Sequence, residues 1–188
     1  MDNLPNGGEV VIVDDLSTGN MEAVLANKFY KADIKDEKAM AKLFDENKID
    51  GIIHFAAFSL VGESMQEPLK YYENNVTGTL QILKYMNDYG IKNIVFSSSA
   101  AVYGESSSPI KENVSANPTN AYGETKLAVE RMLKWASKAY GINFTALRYF
   151  NAAGSHASGR IGEKRKIETH LIPIALDVAL GKIEKLLI

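Results

Sequence analysis

Apolar residues in this chain come in short blocks separated by polar, glycine-containing breaks. Residues 10–13 are a β-branched run ending at Asp14 and predict a buried strand. Residues 29–32 predict a short strand ending at Asp33. Residues 51–57, 93–97 and 143–149 predict three more. Helical spacing fills the gaps. A short helix is expected over 21–28. An amphipathic one is expected over 36–47, with Ala39, Leu43 and Phe44 on one side. A long helix over 69–89 runs through Val76, Leu80, Leu83 and Met86 and stops at Gly90. Another over 122–140 is closed by Gly141, and a last one over 168–180 by Gly181.

Strands alternating with helices, and strand runs apolar almost without interruption, predict an α/β fold. Its sheet is parallel, doubly wound and buried on both faces. Ligands of such sheets lie beyond the carboxyl ends of the strands. The polar residues there are Asp14, Asp33, His54, Ser97, Ser98, Ser99, Tyr149 and Asn151. Residues 152–166, rich in glycine and serine, read as a link into a second lobe. This divides the chain into a domain over 1–151 and the beginning of a lobe over 152–188. The terminal residues 186–188 resemble a strand cut short.

Composition narrows the function. The 188 residues suffice for one full core and the start of a second. A formal net charge of −2 with interspersed lysines and acids gives no basic stripe for nucleic acid. Cysteine is absent, which excludes disulfides and thiolate metal sites. The apolar runs are too short to span a bilayer, and residues 1–8 do not read as a signal peptide. A cytoplasmic enzyme with no nucleic-acid or membrane partner is expected.

The candidate chemistry lies in Tyr122-Gly123-Glu124-Thr125-Lys126. On a helix the phenol and the amine share one face, one turn apart. An ammonium beside a phenol favours the phenolate and is expected to draw the tyrosine pKa down, giving a proton shuttle for an alcohol–ketone conversion. Ser97, Ser98 and Ser99 follow an apolar run some two dozen residues upstream. A serine at a strand end before Tyr-x-x-x-Lys resembles the active-site order of short-chain dehydrogenases/reductases. His54 sits within an apolar strand and reads as a hydrogen-bonded core histidine. Tyr71 and Tyr72 read as packing. His54, His156 and His170 are far apart and lack ligand spacing, so no metal is expected.

The strings VDDLSTGN, HFAA, VGESM, YYENNV, FSSSAAVYGE, NPTNAYGETK, LRYFNAAG and ETHLIP follow one another along nearly the whole chain. In order and spacing they resemble the UDP-glucose 4-epimerase family, which are extended short-chain dehydrogenases/reductases using NAD. The resemblance implies a Rossmann-type sheet and interconversion of UDP-glucose and UDP-galactose through a 4-keto sugar. Ser99, Tyr122 and Lys126 are then catalytic, with Tyr122 the base. Asp14 takes the adenosine ribose, and Asp15, Leu16, Ser17, Thr18 and Gly19 wrap the same end. Asp33 and Ile34 border adenine. Phe55, Ala56, Ala57, Phe58, Ser59 and Asn75 line the ribose and pyrophosphate, and Phe150 stands beside the nicotinamide. Ser99, Tyr122, Asn151, His170 and Leu171 serve the UDP-sugar. Lys126 also anchors the nicotinamide ribose. Many family members have lysine where Ser59 stands, and some have asparagine where His170 stands. The family also implies a homodimer built on helices matching 69–89 and 122–140.

Two features depart from the pattern or leave alternatives open. No G-x-G-x-x-G or G-x-x-G-x-x-G string occurs among the fourteen glycines. Residues 1–8 resemble the tail of a first helix leading into the second strand of a 3-2-1-4-5-6 sheet. The expectation is therefore a chain truncated at both ends that lacks the first strand and glycine loop, binds NAD poorly and turns over little. Secondly, related enzymes compete with the epimerase reading. A 4,6-dehydratase needs an Asp-Glu pair where Ala100 and Ala101 stand. Epimerases of N-acetylated sugars or pentoses stay open, as does a non-catalytic protein on this fold.

Overall fold

In the computed structural model, which describes residues 7–107, 109–165, 168 and 170–186, the apolar runs pair into two sheets. Strands β1 (Val11–Asp14) and β2 (Lys28–Lys31) form one, extended by the Ala32 N–H donating to the Asp14 carbonyl at 3.2 Å. Strands β3 (Ile52–His54), β4 (Asn93–Ser99) and β5 (Asn143–Tyr149) form a parallel sheet in the order β3-β4-β5. Its register sets Phe96 between His54 and Ala146, and Ser99 beside Tyr149.

The described residues divide into two units. One comprises Val13–Asp15 and Tyr30–Phe150, and holds the β3-β4-β5 sheet and most of the helices. Helix α1 (Glu37–Glu46) is capped by Asp36, whose carboxylate accepts the Lys38 and Ala39 amides, each at 3.1 Å. Helices α2 (Val61–Gln66) and α3 (Pro68–Tyr71) lead into π-helical turns at Tyr72–Thr77 and then α4 (Gly78–Asp88). Helix α5 (Ala121–Tyr140) packs on β4 and β5 and against α2, α3 and α4. Phe96, Met86, Leu133, Val129 and Ile142 are buried at the centre. The other unit comprises the described residues of Met1–Ile12, Leu16–Phe29 and Asn151–Ile188. There Lys164 joins the last two stretches, pairing with Glu22 at 2.7 Å while its carbonyl accepts from Asn20 at 2.9 Å. Helix α6 (Leu171–Ala179) buries none of its residues.

Four expectations need correction. The helix over 69–89 is one helical path from Pro68, but its middle is widened into π turns. Hydrophobic spacing does not distinguish the two windings. The helix over 21–28 shrinks to a single 3-10 turn, Met21–Ala23, because Lys28 is drawn into β2. The last helix begins at Leu171 rather than 168, after His170 in extended backbone. Burial on both faces fails: Ile94, Phe96 and Ser98 are buried, whereas Ile53 and Leu147 are exposed. Helix α2 and a 3-10 turn at Ala100–Tyr103 were not expected; both are too short to show a period. The terminal residues 187 and 188 lie outside the described residues.

The 3-10 turn begins a small core in which Val102, Tyr103 and Leu127 pack with Ile110, Val114 and Ala116. It ends at Gly104, with φ of +63°. A Cβ there would lie 1.9 Å from the Asn117 carbonyl oxygen, so only glycine fits.

His54 is the core histidine the sequence implies. Its Nε2 lies 2.9 Å from Thr79 Oγ1, and the Thr79 hydroxyl donates to the Asn75 carbonyl at 2.6 Å. Thr79 therefore accepts, and the ring is the neutral Nε2–H tautomer. Burial first, and the nearby Lys126 second, push its pKa down to about 4 from 6.5. Between these values the unfolded chain binds a proton that the folded chain refuses. Stability is thus full above pH 6.5 and falls toward pH 4, by up to about 3 kcal/mol. Urea unfolding at pH 7 and pH 4.5 checks this; His54→Gln should flatten the loss.

Candidate active site

Three consecutive serines at the end of β4 each meet a different group of α5. Ser97 offers its carbonyl to Lys126 Nζ at 2.8 Å. Ser98, buried, donates to Glu130 Oε1 at 2.6 Å. The Ser99 hydroxyl accepts the Ala101 amide at 3.2 Å and lies close enough to the Tyr122 phenol to favour the phenolate. Glu130 is held further by Arg148 of β5, with Nε at 3.0 Å and Nη2 at 2.7 Å. The guanidinium in turn stands 4.7 Å from the centre of the Tyr103 ring. One carboxylate so locks the register between α5 and two strands.

Ser99, Tyr122 and Lys126 are brought together as the sequence implies. Helix α5 starts one residue before Tyr122, with Asn120 capping the Gly123 amide at 2.8 Å. Lys126 is one turn on, 3% exposed, its Nζ 5.0 Å from the centre of Phe96 and 5.7 Å from that of Tyr122. The electrostatics differ from the expectation. Burial raises the Tyr122 pKa, and the neighbouring Ser99 hydroxyl opposes that rise. Burial also pulls the Lys126 pKa down to about 8. The ammonium is aimed at the Ser97 carbonyl rather than the phenol oxygen, which is why it does not draw the tyrosine down.

The remaining predicted residues of this unit fall into three groups. Asp14 ends β1 with Asp15 after it, both exposed. Asp33 accepts the Lys35 amide at 2.8 Å and pairs with Lys35 Nζ at 3.6 Å, while the Ile34 side chain is committed to the core. Phe55, Ala56 and Ser59, after β3, and Phe150, after β5, are exposed. Ala57 and Phe58 are half-buried, and Phe58 packs on Tyr71 with ring centres 5.8 Å apart. Asn75 is 2% exposed, and its amide bonds the Phe58 backbone in both directions, at 2.9 and 3.0 Å. The side chain of Asn75 thus shapes the Phe58 loop from within the protein.

In the other unit, Leu16 has φ of +60°, and Ser17, Thr18 and Gly19 are exposed. Asn151, His170 and Leu171 are exposed too, with the His170 ring against the Glu163 carboxylate. Glu163, Glu168 and His170 each place one potential ligand atom within 4.8 Å of the others, but Glu163 is already paired with Arg165. A concavity of about 560 Å³ between 44–50 and 89–93 opens at the amino ends of β3 and β4 and holds none of the chemistry.

Sequence reasoning missed Ser64, Thr125, Glu130 and Arg148. Their signal was a polar residue at a buried position, and burial was the unknown. Thr125 lay inside the Tyr122–Lys126 run, and Ser64 inside the string VGESM.

Comparison with known proteins follows the same line. Residues 2–188 match the model of a family described as the NAD dependent epimerase/dehydratase family. The UDP-glucose 4-epimerase of Lacticaseibacillus casei is 53% identical over 180 residues, covering 95% of this chain and 54% of the relative. That of Halalkalibacterium halodurans is 50% identical over 186 residues, covering 98% and 56%. Among solved structures, the UDP-glucose 4-epimerase of Brucella ovis in complex with NAD superposes with a TM-score of 0.91 at 44% identity, covering 96% of this chain and 56% of that one. The chain spans about half the length of the curated relatives it matches.

Proposed function

Because the chain belongs to the NAD dependent epimerase/dehydratase family, we propose that it carries the catalytic residues of an NAD-dependent UDP-glucose 4-epimerase. The observation that carries this reading is the meeting of Ser99, Tyr122 and Lys126 at the carboxyl end of β4. The dinucleotide-binding domain covers 1–151 and the sugar-nucleotide lobe begins at 152.

The residues present suit both ends of the cofactor. At the adenosine end, the exposed Asp14 carboxylate after a strand accepts ribose hydroxyls and repels a 2′-phosphate, favouring NAD over NADP. At the other end, Lys126 has three N–H donors and Ser97 takes one, so the rest can serve the nicotinamide ribose. When bound, NAD accepts a hydride from the sugar C4 and returns it to the opposite face.

The protein groups move and hold protons around that exchange. Tyr122 as phenolate takes the proton of the sugar 4-hydroxyl, and Ser99 donates a hydrogen bond to the same oxygen. Lys126 supplies positive charge to the site below its pKa of about 8. The proton returns from Tyr122 when the 4-keto sugar is reduced. Asn151, His170 and Leu171 hold the uridine diphosphate while the hexose turns. No helix among the described residues is long and apolar enough to cross a membrane. We place the enzyme in the cytoplasm, as a homodimer paired through the helical path from Pro68 and through α5. Leu69, 82% exposed, and Tyr72 mark the free side of that path.

The test uses a chimera in which this chain replaces the matched stretch of a curated relative, since the 188 residues contain no glycine-rich phosphate loop. Given NAD and UDP-galactose, the chimera is expected to form UDP-glucose. A folded chimera without conversion would overturn the reading.

A further inference from the structure

Tyr122 stands in the first turn of α5, where a backbone amide has no partner within the helix. Its N–H is taken instead by another element: Ser64 of α2, with no exposed surface, accepts it at 3.1 Å. The Ser64 hydroxyl proton goes to the Val61 carbonyl at 2.7 Å. The Tyr122 carbonyl is held as well. Thr125, also without exposed surface, donates to it at 2.7 Å. With its proton spent there, the Thr125 hydroxyl accepts from Asn75 Nδ2 at 3.1 Å. The second Nδ2 proton goes to the Phe58 carbonyl, and Oδ1 accepts the Phe58 amide. Every donor and acceptor in this chain of bonds is assigned, and no alternative orientation satisfies all of them.

We propose that Ser64, Thr125 and Asn75 are positioning residues that hold Tyr122 by both ends of its backbone and tie it to the Phe58 loop. They touch no reacting atom. They fix where the helix start stands relative to the end of β4, and hence whether the phenol reaches Ser99. Asn75 lies in the π turns, whose widened winding marks a local departure that helices keep mostly at functional sites. The loop after β3 is the segment read as the cofactor wall, so a shift there and a shift of Tyr122 are mechanically one event. The inference rests on the reading of Tyr122 as the proton-transferring residue, but its test does not need turnover.

The test is carried out on the purified chain with ¹³C at the tyrosine ζ carbon. Tyr122→Phe identifies the Tyr122 resonance, and Ser99→Ala gives its position when the Ser99 hydroxyl is gone. Tyr71 of α3, whose phenol bonds Leu60 and Glu63, serves as the neighbouring control, and Lys126 stays charged at neutral pH. In Ser64→Ala and in Thr125→Val the Tyr122 resonance is expected to move toward the Ser99→Ala position. Thr125→Ser keeps the hydroxyl and should leave the resonance at the wild-type position. Folded Ser64→Ala and Thr125→Val with an unmoved Tyr122 signal would overturn the proposal and leave these hydroxyls a merely structural role. If neither variant folds, hydrogen exchange of the wild-type Tyr122 amide decides. Protection by about 10²-fold or more supports the Ser64 bond, and exchange at the rate of a free amide refutes it. Failure of epimerisation in the chimera would leave these resonances where they are, so the two readings fail separately.

Discussion

Replacing Tyr122 with phenylalanine is expected to lower turnover of UDP-galactose by about 10²–10⁴-fold, the usual loss with a general base. The ring, its half-buried seat and the helix start all remain. Only the hydroxyl goes, at a net stability change of about 1 kcal/mol. Activity and stability should therefore separate: kcat in the chimera collapses while its melting temperature barely moves. The cause is chemical. Nothing else among the described residues joins a phenol-like acid to both a hydroxyl at a strand end and a buried ammonium. An unchanged kcat would remove Tyr122 from the mechanism.

Gly123→Ala is expected to be nearly as damaging by a different route. Helix propensity alone favours alanine by about 1 kcal/mol, which would predict a more stable chain. The added Cβ, however, would lie 2.6 Å from the Ala101 carbonyl oxygen, 3.0 Å from its carbon and 3.1 Å from Pro118 Cβ. Two of these three are backbone atoms in the 3-10 turn after Ser99, which cannot swing aside as a side chain can. Overpacking of this kind costs about 1–3 kcal/mol, so the clash exceeds the propensity gain and the sign reverses. The relief available is to push the start of α5 away from the turn, carrying Tyr122 from Ser99. A displacement near 1 Å in a reacting group costs about 10²-fold in rate. Thermal melting and kcat of the variant chimera check both halves. A raised melting temperature with normal turnover would show that the close approach has no function.

The sequence made the periodic parts of this fold legible and left the local ones hidden. Five strands were placed to within a few residues because their apolar runs are bounded by polar residues and glycine. Asp14 and Ser99 marked strand ends because a polar residue after a buried run has to face water or a ligand. Tyr122 and Lys126 could be paired from spacing alone, since a helix turn fixes their common face. The direction of the Tyr122 pKa could not be read, because burial opposes the expected lowering and burial depends on tertiary packing. The π turns at Tyr72–Thr77 were invisible because one extra residue in a helix barely disturbs its hydrophobic pattern. Ser64 and Asn75 looked like ordinary polar positions until the fold set them against the backbone of Tyr122 and Phe58. Asn75 thereby shows a part its sequence position did not reveal, shaping the Phe58 loop.

The isotope at the sugar C4 tests the central claim most directly. UDP-galactose carrying deuterium at that carbon is converted by the chimera in ordinary water, and the UDP-glucose is analysed for label at C4. The account predicts that the deuterium is retained, because it leaves and returns within the site while only the hydroxyl proton passes through Tyr122. Loss of the label to water would mean that a base removes the carbon-bound hydrogen as a proton, and would contradict the account.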